Sequence, residues 1–339
     1  MYLPLHPADA PQGRRYVSTG SLPPRRRVDE LVLQAHARYR DNHDGALSTV
    51  YPALAAADPG RFGLALTERD GAVHEAGDTR VPFTLMSVSK PFVFALVCEE
   101  AGVDAVRELV GVNATGLPFN SARAVEQSPD GRTNPMVNSG AIAATGLVPR
   151  DDLEDRWLWL AGRLSRFAGR PLELDEGALA SARATNFRNR ALAMLLRGAG
   201  AIAGDPDEAV ELYTRQCCLA VTAVDLATMG ATLADGGVHP LTGERVVGAA
   251  AARAALAVMS IAGLYEASGD WLLDVGFPGK SGISGGLVAV SPGKGALGAF
   301  SPLLDTEGNS VRGQLAARFL AGELGLDLLS SAPVTSPEG

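Results

Sequence analysis

The feature that most constrains this chain is Ser87-Val88-Ser89-Lys90, set ahead of the apolar run Phe92 to Cys98 and answered far downstream by Lys280-Ser281-Gly282. Residues i and i+3 of a helix share one face, which brings the Ser87 hydroxyl and the Lys90 amine within hydrogen-bonding reach. A serine hydroxyl is a poor nucleophile at neutral pH, but a lysine kept neutral by desolvation and a neighbouring positive charge can take its proton. Lys280 is the candidate for that charge. Lys90, Lys280 and Lys294 are the only lysines in the chain, and two of them fall inside the paired motifs. The fold must therefore carry a nucleophile on an apolar helix and bring a late segment back beside it.

Val81 to Met86 reads as an extended lead-in, with Ser87 near the first helical turn and Pro91 tolerated just inside it. Apolar spacing predicts a helix from Val28 to about Arg40, and a hairpin of Phe62 to Thr67 and Ala72 to Ala76 turning through Glu68-Arg69-Asp70-Gly71. The middle reads as mostly helical, with helices over 151–168, 185–196, 205–217 and 223–234; Asp205 before Pro206 is a start signal. A second hairpin, Ile283 to Val290 and Gly295 to Ser301, precedes a helix from about Val311 to Leu324. Early and late strands around a helical middle predict an α/β (α+β) domain whose antiparallel sheet is built from both chain ends, with a helical subdomain inserted. Residues 1–25 read as an arm, 26–329 as one catalytic domain and 330–339 as a loose tail.

Composition narrows the function. With 339 residues, 46% of them hydrophobic, the chain can bury a sizeable core. A net charge of −8 without a basic face argues against nucleic acid, and Arg25-Arg26-Arg27 reads as a solvated helix entry. Arg14-Arg15 lacks the apolar run of an export signal, so cytoplasmic residence is expected. The Ala-rich stretch Val246 to Leu264 is interrupted by Arg253 and reads as a core helix, so no membrane role is expected. Cys98, Cys217 and Cys218 read as buried thiols, and the five histidines show no metal spacing and no motif with an acid. Metal and Ser-His-Asp chemistry are both disfavoured. Trp157-Leu158-Trp159 is assigned to packing.

Lys-Ser/Thr-Gly after a Ser-x-x-Lys is the pairing of penicillin-binding proteins and serine β-lactamases. The further segments Gly77 to Phe83, Asn134 to Ile142, Arg188 to Ala193, Tyr213 to Cys217, Asp225 to Ala227, Gly263 to Tyr265, Lys280 to Gly286 and Ser301 to Asp305 lie in the order found in a family of that fold. Over about Gly45 to Leu324 the chain resembles the serine-dependent glutaminases. The resemblance implies a serine β-lactamase-like fold and a Ser87 nucleophile with Lys90 as its base. It also implies that Tyr265 hydrogen-bonds Ser87 and passes the proton to the leaving ammonia. The backbone N–H groups of Ser87 and Ile283 would form an oxyanion hole, each donor worth roughly 3 to 4 kcal/mol. Asn138, Asn189 and Tyr213 would hold the glutamine, no metal or organic cofactor would be needed, and self-association as a homodimer or homotetramer would be expected.

The implied substrate shell has departures. The resemblance calls for a tyrosine where Val50 stands beside Tyr51, a glutamine where Met86 stands, and a glutamate, partner of the substrate ammonium, where Ala182 stands. Asn113-Ala114-Thr115-Gly116 replaces a Glu-Pro-Ser-Gly motif. The expected function is a serine amidohydrolase that cleaves the side-chain carboxamide of L-glutamine, or of a glutamine-like amide, to the acid and ammonia. The alternatives are an acyl hydrolase or acyl transferase whose substrate lacks a free α-ammonium, or a non-catalytic binding or scaffold homologue. Residue by residue the plainer uses also stand: asparagines as loop or cap residues, tyrosines half-buried in the core.

Overall fold

The computed structural model of the chain describes residues 20–330 apart from Pro129. Most of the expected arm, and all but the first residue of the expected tail, lie outside the described residues.

Among the described residues eight strands make two sheets. The larger has the order β2 (Val73–Gly77), β1 (Gly63–Glu68), β8 (Gly295–Phe300), β7 (Gly286–Ser291), β6 (Gly279–Ser281). Every pairing in it is antiparallel, and β1 pairs directly with β8 from Gly63 opposite Phe300 to Glu68 opposite Gly295. The sheet is thus closed between the two ends of the chain, as the order of elements predicts. A small second sheet joins β3 (Phe83–Thr84), β5 (Leu219–Val221) and β4 (Glu173–Leu174).

Strand side chains alternate between two cores, as the period of two requires. Leu64, Leu66, Leu287, Ala289, Leu297 and Ala299 face the terminal helices Arg25–Tyr39 and Val311–Leu324, where Val28, Leu31, Val32 and Leu320 are fully buried. Ala65, Val288, Val290 and Ala296 face the other way, toward the helix Ala223–Ala234 and the helical subdomain. Covered on both faces, β7 and β8 are buried along their whole length, which is why they read as nearly unbroken apolar runs.

The helix entry at Arg25 is solvated as expected, with Arg25 paired to Asp70 and Arg26 and Arg27 to Glu30. Asp205 caps its helix through Asp207 N at 2.8 Å, with Pro206 in the first turn. The expected helix over 185–196 runs from Phe187 to Gly198, and a helix that the pattern missed, Glu176–Thr185, precedes it across Asn186. The expected strand from Ile283 begins only at Gly286, because Gly282 to Gly285 form a turn closed by Gly285 N to Gly282 O at 2.9 Å. Leu158 is 67% exposed, and only Trp157 and Trp159 of that trio pack against the core. His74 was not expected to meet an acid, yet its buried ring bridges Asp29 at 2.6 Å and Glu68 at 2.9 Å, tying the first helix to the first hairpin. All three cysteines are free and buried. Among the described residues no single helix is long and apolar enough to cross a membrane.

Candidate active site

The candidate nucleophile does not sit in the α-helix itself. Ser87 occupies a 3-10 turn, Met86–Val88, and the α-helix runs from Ser89 to Ala101. Met86 lies at φ 46°, a left-handed conformation that a side-chain-bearing residue adopts at a cost of roughly 1 to 3 kcal/mol and that gathers at functional sites. Its carbonyl accepts from Ser89 Oγ at 2.8 Å, Ser89 Oγ accepts from Gln216 Nε2 at 3.2 Å, and Gln216 Oε1 accepts from Thr145 Oγ1 at 3.2 Å. This buried chain pins the turn to the helices Asn138–Gly146 and Pro206–Cys217. Sequence reasoning singled out neither Ser89 nor Gln216, whose roles depend on contacts between distant segments.

Lys90 is 1% exposed, and burial pushes its amine down from the ordinary lysine value to about 7, with Cys217 pulling the other way. Its Nζ donates to Met136 O at 3.1 Å and to Asn138 Oδ1 at 2.8 Å. A neutral amine has two N–H donors and one lone pair, so both donors are spent and the lone pair remains for a proton. Asn138 Oδ1 also accepts from Tyr213 Oη at 3.4 Å, and Asn138 Nδ2 donates to Asn189 Oδ1 at 2.9 Å. The structure thus joins Lys90, Asn138, Asn189 and Tyr213, residues far apart in the chain, in one buried network.

Lys280 is fully buried on β6, donating to Gly263 O at 2.7 Å and Ser281 O at 2.8 Å. The sequence reading has Lys280 lowering the Lys90 pKa. Burial comes first for both amines: it lowers Lys90, and it holds Lys280 well below its usual range, with the charge repulsion between the two lysines second. Tyr265 Oη donates to Ser281 O at 3.4 Å and stands beside the Ser87 hydroxyl, and burial raises its phenol above its ordinary range, so it stays protonated. Its backbone, at φ 58°, is the second left-handed residue of the site. Gly282 lets the late strand approach, since a Cβ there would stand 3.2 Å from Leu85 O and 3.4 Å from Met86 Cβ.

A cleft of about 100 Å³ opens on Ser87, lined by Val50, Tyr51, Met86, Phe119, Asn120, Asn138, Asn189, Tyr213 and Ile283, with Thr185, Asn186, Arg188 and Cys217 also contributing. Ile283, on the turn rather than in a strand, meets Ser87 there. Cys217 is no rival nucleophile, because burial pushes its thiol up to about 11. Val50 and Tyr51 both line the cleft, so a phenol is present on that wall. Ala182, by contrast, is 1% exposed in the packed core and is not among the lining residues. Asn113 to Thr115 line a separate surface cleft with Arg132 and Thr133. A larger groove of about 510 Å³ around Arg183, Arg190 and Asp207 shares Asn186 but lacks Ser87, so size does not mark the reactive site here. Phe119 and Arg188 were not singled out as site residues, and no motif marks Phe119.

The fold and the site together, a buried serine in a 3-10 turn, a lysine of lowered pKa in the first turn of the following helix and a buried phenol beside that serine, are those of a β-lactamase-like frame. The glutaminase family model matches residues 45–329, and the chain belongs to that family. It is 57% identical over 320 residues to a protein named glutaminase 2 from Yersinia pestis, covering 94% of each chain. It is 47% identical over 304 residues to a glutaminase from Mycobacterium ulcerans, covering 90% of this chain and 95% of that one. Among solved structures it resembles the probable glutaminase YbaS with a TM-score of 0.89 and 41% identity, over 90% of this chain and 99% of that one.

Proposed function

We propose that this glutaminase hydrolyses the side-chain amide of glutamine, or of a close analogue, through an acyl-enzyme on Ser87, as a soluble enzyme that self-associates. The observation that carries the reading is the Lys90 amine, displaced to about 7 with both N–H groups spent on Met136 O and Asn138 Oδ1. Such an amine is a base at neutral pH. Lys90 takes the Ser87 proton as Oγ attacks the amide carbon, and the backbone N–H groups of Ser87 and Ile283 receive the oxyanion. The C–N bond then breaks as the proton passes through Tyr265 to the nitrogen, which leaves as ammonia. Water attacks the ester, gives its proton to Lys90, and releases the carboxylic acid while Ser87 is reprotonated. Asn138, Asn189 and Tyr213 hold the substrate. Without a serine nucleophile in place, fold and network alone would make a binding protein.

The test is intact-mass detection of a single covalent adduct from a glutamine-like diazo-ketone, mapped by peptide analysis, alongside Ser87→Ala. The adduct is expected on Ser87, and the variant should fold normally while losing ammonia release by at least about a thousandfold. An adduct elsewhere together with an active Ser87→Ala enzyme would refute the reading.

A further inference from the structure

The charges and hydrogen-bond polarity of the cleft say more about its substrate than the family does. Among the described residues lining it, Arg188 is the only one whose side chain is an acid or a strong base, and none is an aspartate or glutamate. The amide oxygens of Asn138 and Asn189 are occupied. Asn138 Oδ1 receives both Lys90 and Tyr213, and Asn189 Oδ1 receives Asn138 Nδ2. At the mouth, Phe119 O receives Asn138 N at 2.8 Å and Asn120 O receives Arg188 Nε at 2.8 Å. What remains for a ligand is the terminal nitrogens of Arg188, Asn189 Nδ2 and neutral side-chain groups such as the Asn120 and Asn186 amides, with no carboxylate, set among the apolar groups Val50, Met86, Phe119 and Ile283.

That environment treats the two charges of free glutamine unequally. A carboxylate finds the guanidinium, anchored through Nε with its terminal edge available for paired contacts. An α-ammonium beside that carboxylate finds the same guanidinium as a like charge and no carboxylate to pair with, and desolvating an unpaired cation is unfavourable. Remove the positive charge and the penalty vanishes.

We infer that the substrate this cleft prefers is an ω-carboxamide acid whose α-nitrogen carries no charge, being acylated or absent, with its carboxylate held by Arg188. The inference rests on the Ser87 amidase reading and concerns only which amide is favoured. Glutamine is then a slower substrate of the same machinery. An acyl group on the nitrogen would add a carbonyl acceptor for the free donors and apolar surface for Val50 and Phe119.

The experiment compares kcat/KM for ammonia release from L-glutamine, glutaramic acid, N-acetyl-L-glutamine and butyramide, using the full chain. The faster of glutaramic acid and N-acetyl-L-glutamine should exceed L-glutamine by at least about tenfold, and which one leads tells whether the nitrogen is absent or acylated. Arg188→Gln should raise KM for both acids by about tenfold or more with kcat little changed, and leave butyramide unaffected. A margin below tenfold over glutamine, or an Arg188→Gln effect equal on butyramide, overturns the inference while leaving the Ser87 reading intact. Absence of ammonia release from all four amides, together with no adduct on Ser87, overturns both.

Discussion

Lys280 lies against the ring face of Tyr265, its Nζ 3.9 Å from the ring centroid. Its Nζ also donates to Gly263 O and Ser281 O, so Lys280 ties the Tyr265 ring to the end of β6. Lys90 Nζ lies farther from that ring, 5.7 Å from its centroid, and donates to Met136 O and Asn138 Oδ1. Lys280→Met keeps much of the bulk but takes the Nζ donor from the buried Gly263 O, at a cost of about 1 to 3 kcal/mol, while Ser281 O keeps the Tyr265 hydroxyl at 3.4 Å. We expect lower stability in chemical denaturation and a kcat reduced by tenfold or more with a smaller change in KM. Wild-type kcat in a stably folded Lys280→Met protein would show that Tyr265 is held by other contacts, such as Phe119, whose ring lies 4.5 Å away.

Lys90 sets the pH dependence. Its amine titrates near 7 in the folded protein, so activity should rise with pH through about 7, and Lys90→Arg should be inactive because arginine does not give up its proton. The stability sign follows from proton counts. Between about 7 and the unfolded lysine value of 10.5 the unfolded chain holds a proton that the folded chain has released, so stability rises with pH across that window. The cost of burying the charge is complete below about 7. Compared with Lys90→Met, the wild type should gain in relative stability as pH rises from 7 toward 10.5, by up to about 1.4 kcal/mol per unit. A parallel pair of stability curves over that range would contradict the displaced titration.

Asn138 offers a nearly isosteric test of the same base. In Asn138→Asp a carboxylate replaces the amide oxygen 2.8 Å from Lys90 Nζ, and an opposite charge at that distance favours the ammonium form. The acid limb of the kcat/KM profile should move to higher pH, leaving the variant most impaired near neutrality and partly restored in alkali. An unmoved or downward-shifted limb would mean that Lys90 is not the group titrating.

The chemistry was more legible in the sequence than its supports. Ser87, Lys90, Lys280 and the sheet built from both chain ends follow from residue type and order, because two short motifs and alternating apolar strands are local signals. The position of Ser87 in a 3-10 turn does not, since nothing marks Met86 as left-handed; the strain is sustained by Ser89, Gln216 and Thr145, contacts between distant segments. The break at Asn186 was equally hidden. The helix Glu176–Thr185 ends there, and Asn186 Nδ2 bonds Thr214 Oγ1 at 2.8 Å on another helix, a contact between segments distant in the chain. The Ala182 departure was visible as a missing acid, but only the folded cleft shows that no lining residue among those described replaces it.

Gly263 is where packing and chemistry meet most tightly. Its backbone is ordinary right-handed helix, φ −69°, so any residue could adopt its conformation. Space is the constraint. A Cβ there would stand 1.8 Å from Gly279 O and 2.6 Å from Met259 O, so alanine must push β6 away from the end of the helix Ala249–Ala262. β6 carries Lys280, whose Nζ bonds Gly263 O, and two residues on from Gly263 stands Tyr265. Gly263→Ala should cost about 1 to 3 kcal/mol through overpacking and lower kcat further by displacing the Tyr265 phenol from Ser87. Gly322→Ala is the matched control, because its Cβ meets nothing within 4 Å and it sits within the helix Val311–Leu324. There alanine should stabilise by up to about 1 kcal/mol with activity unchanged. Denaturation midpoints and kcat measured on the two variants together decide the matter: equal behaviour would mean that the approach of β6 to Gly263 does not position the site.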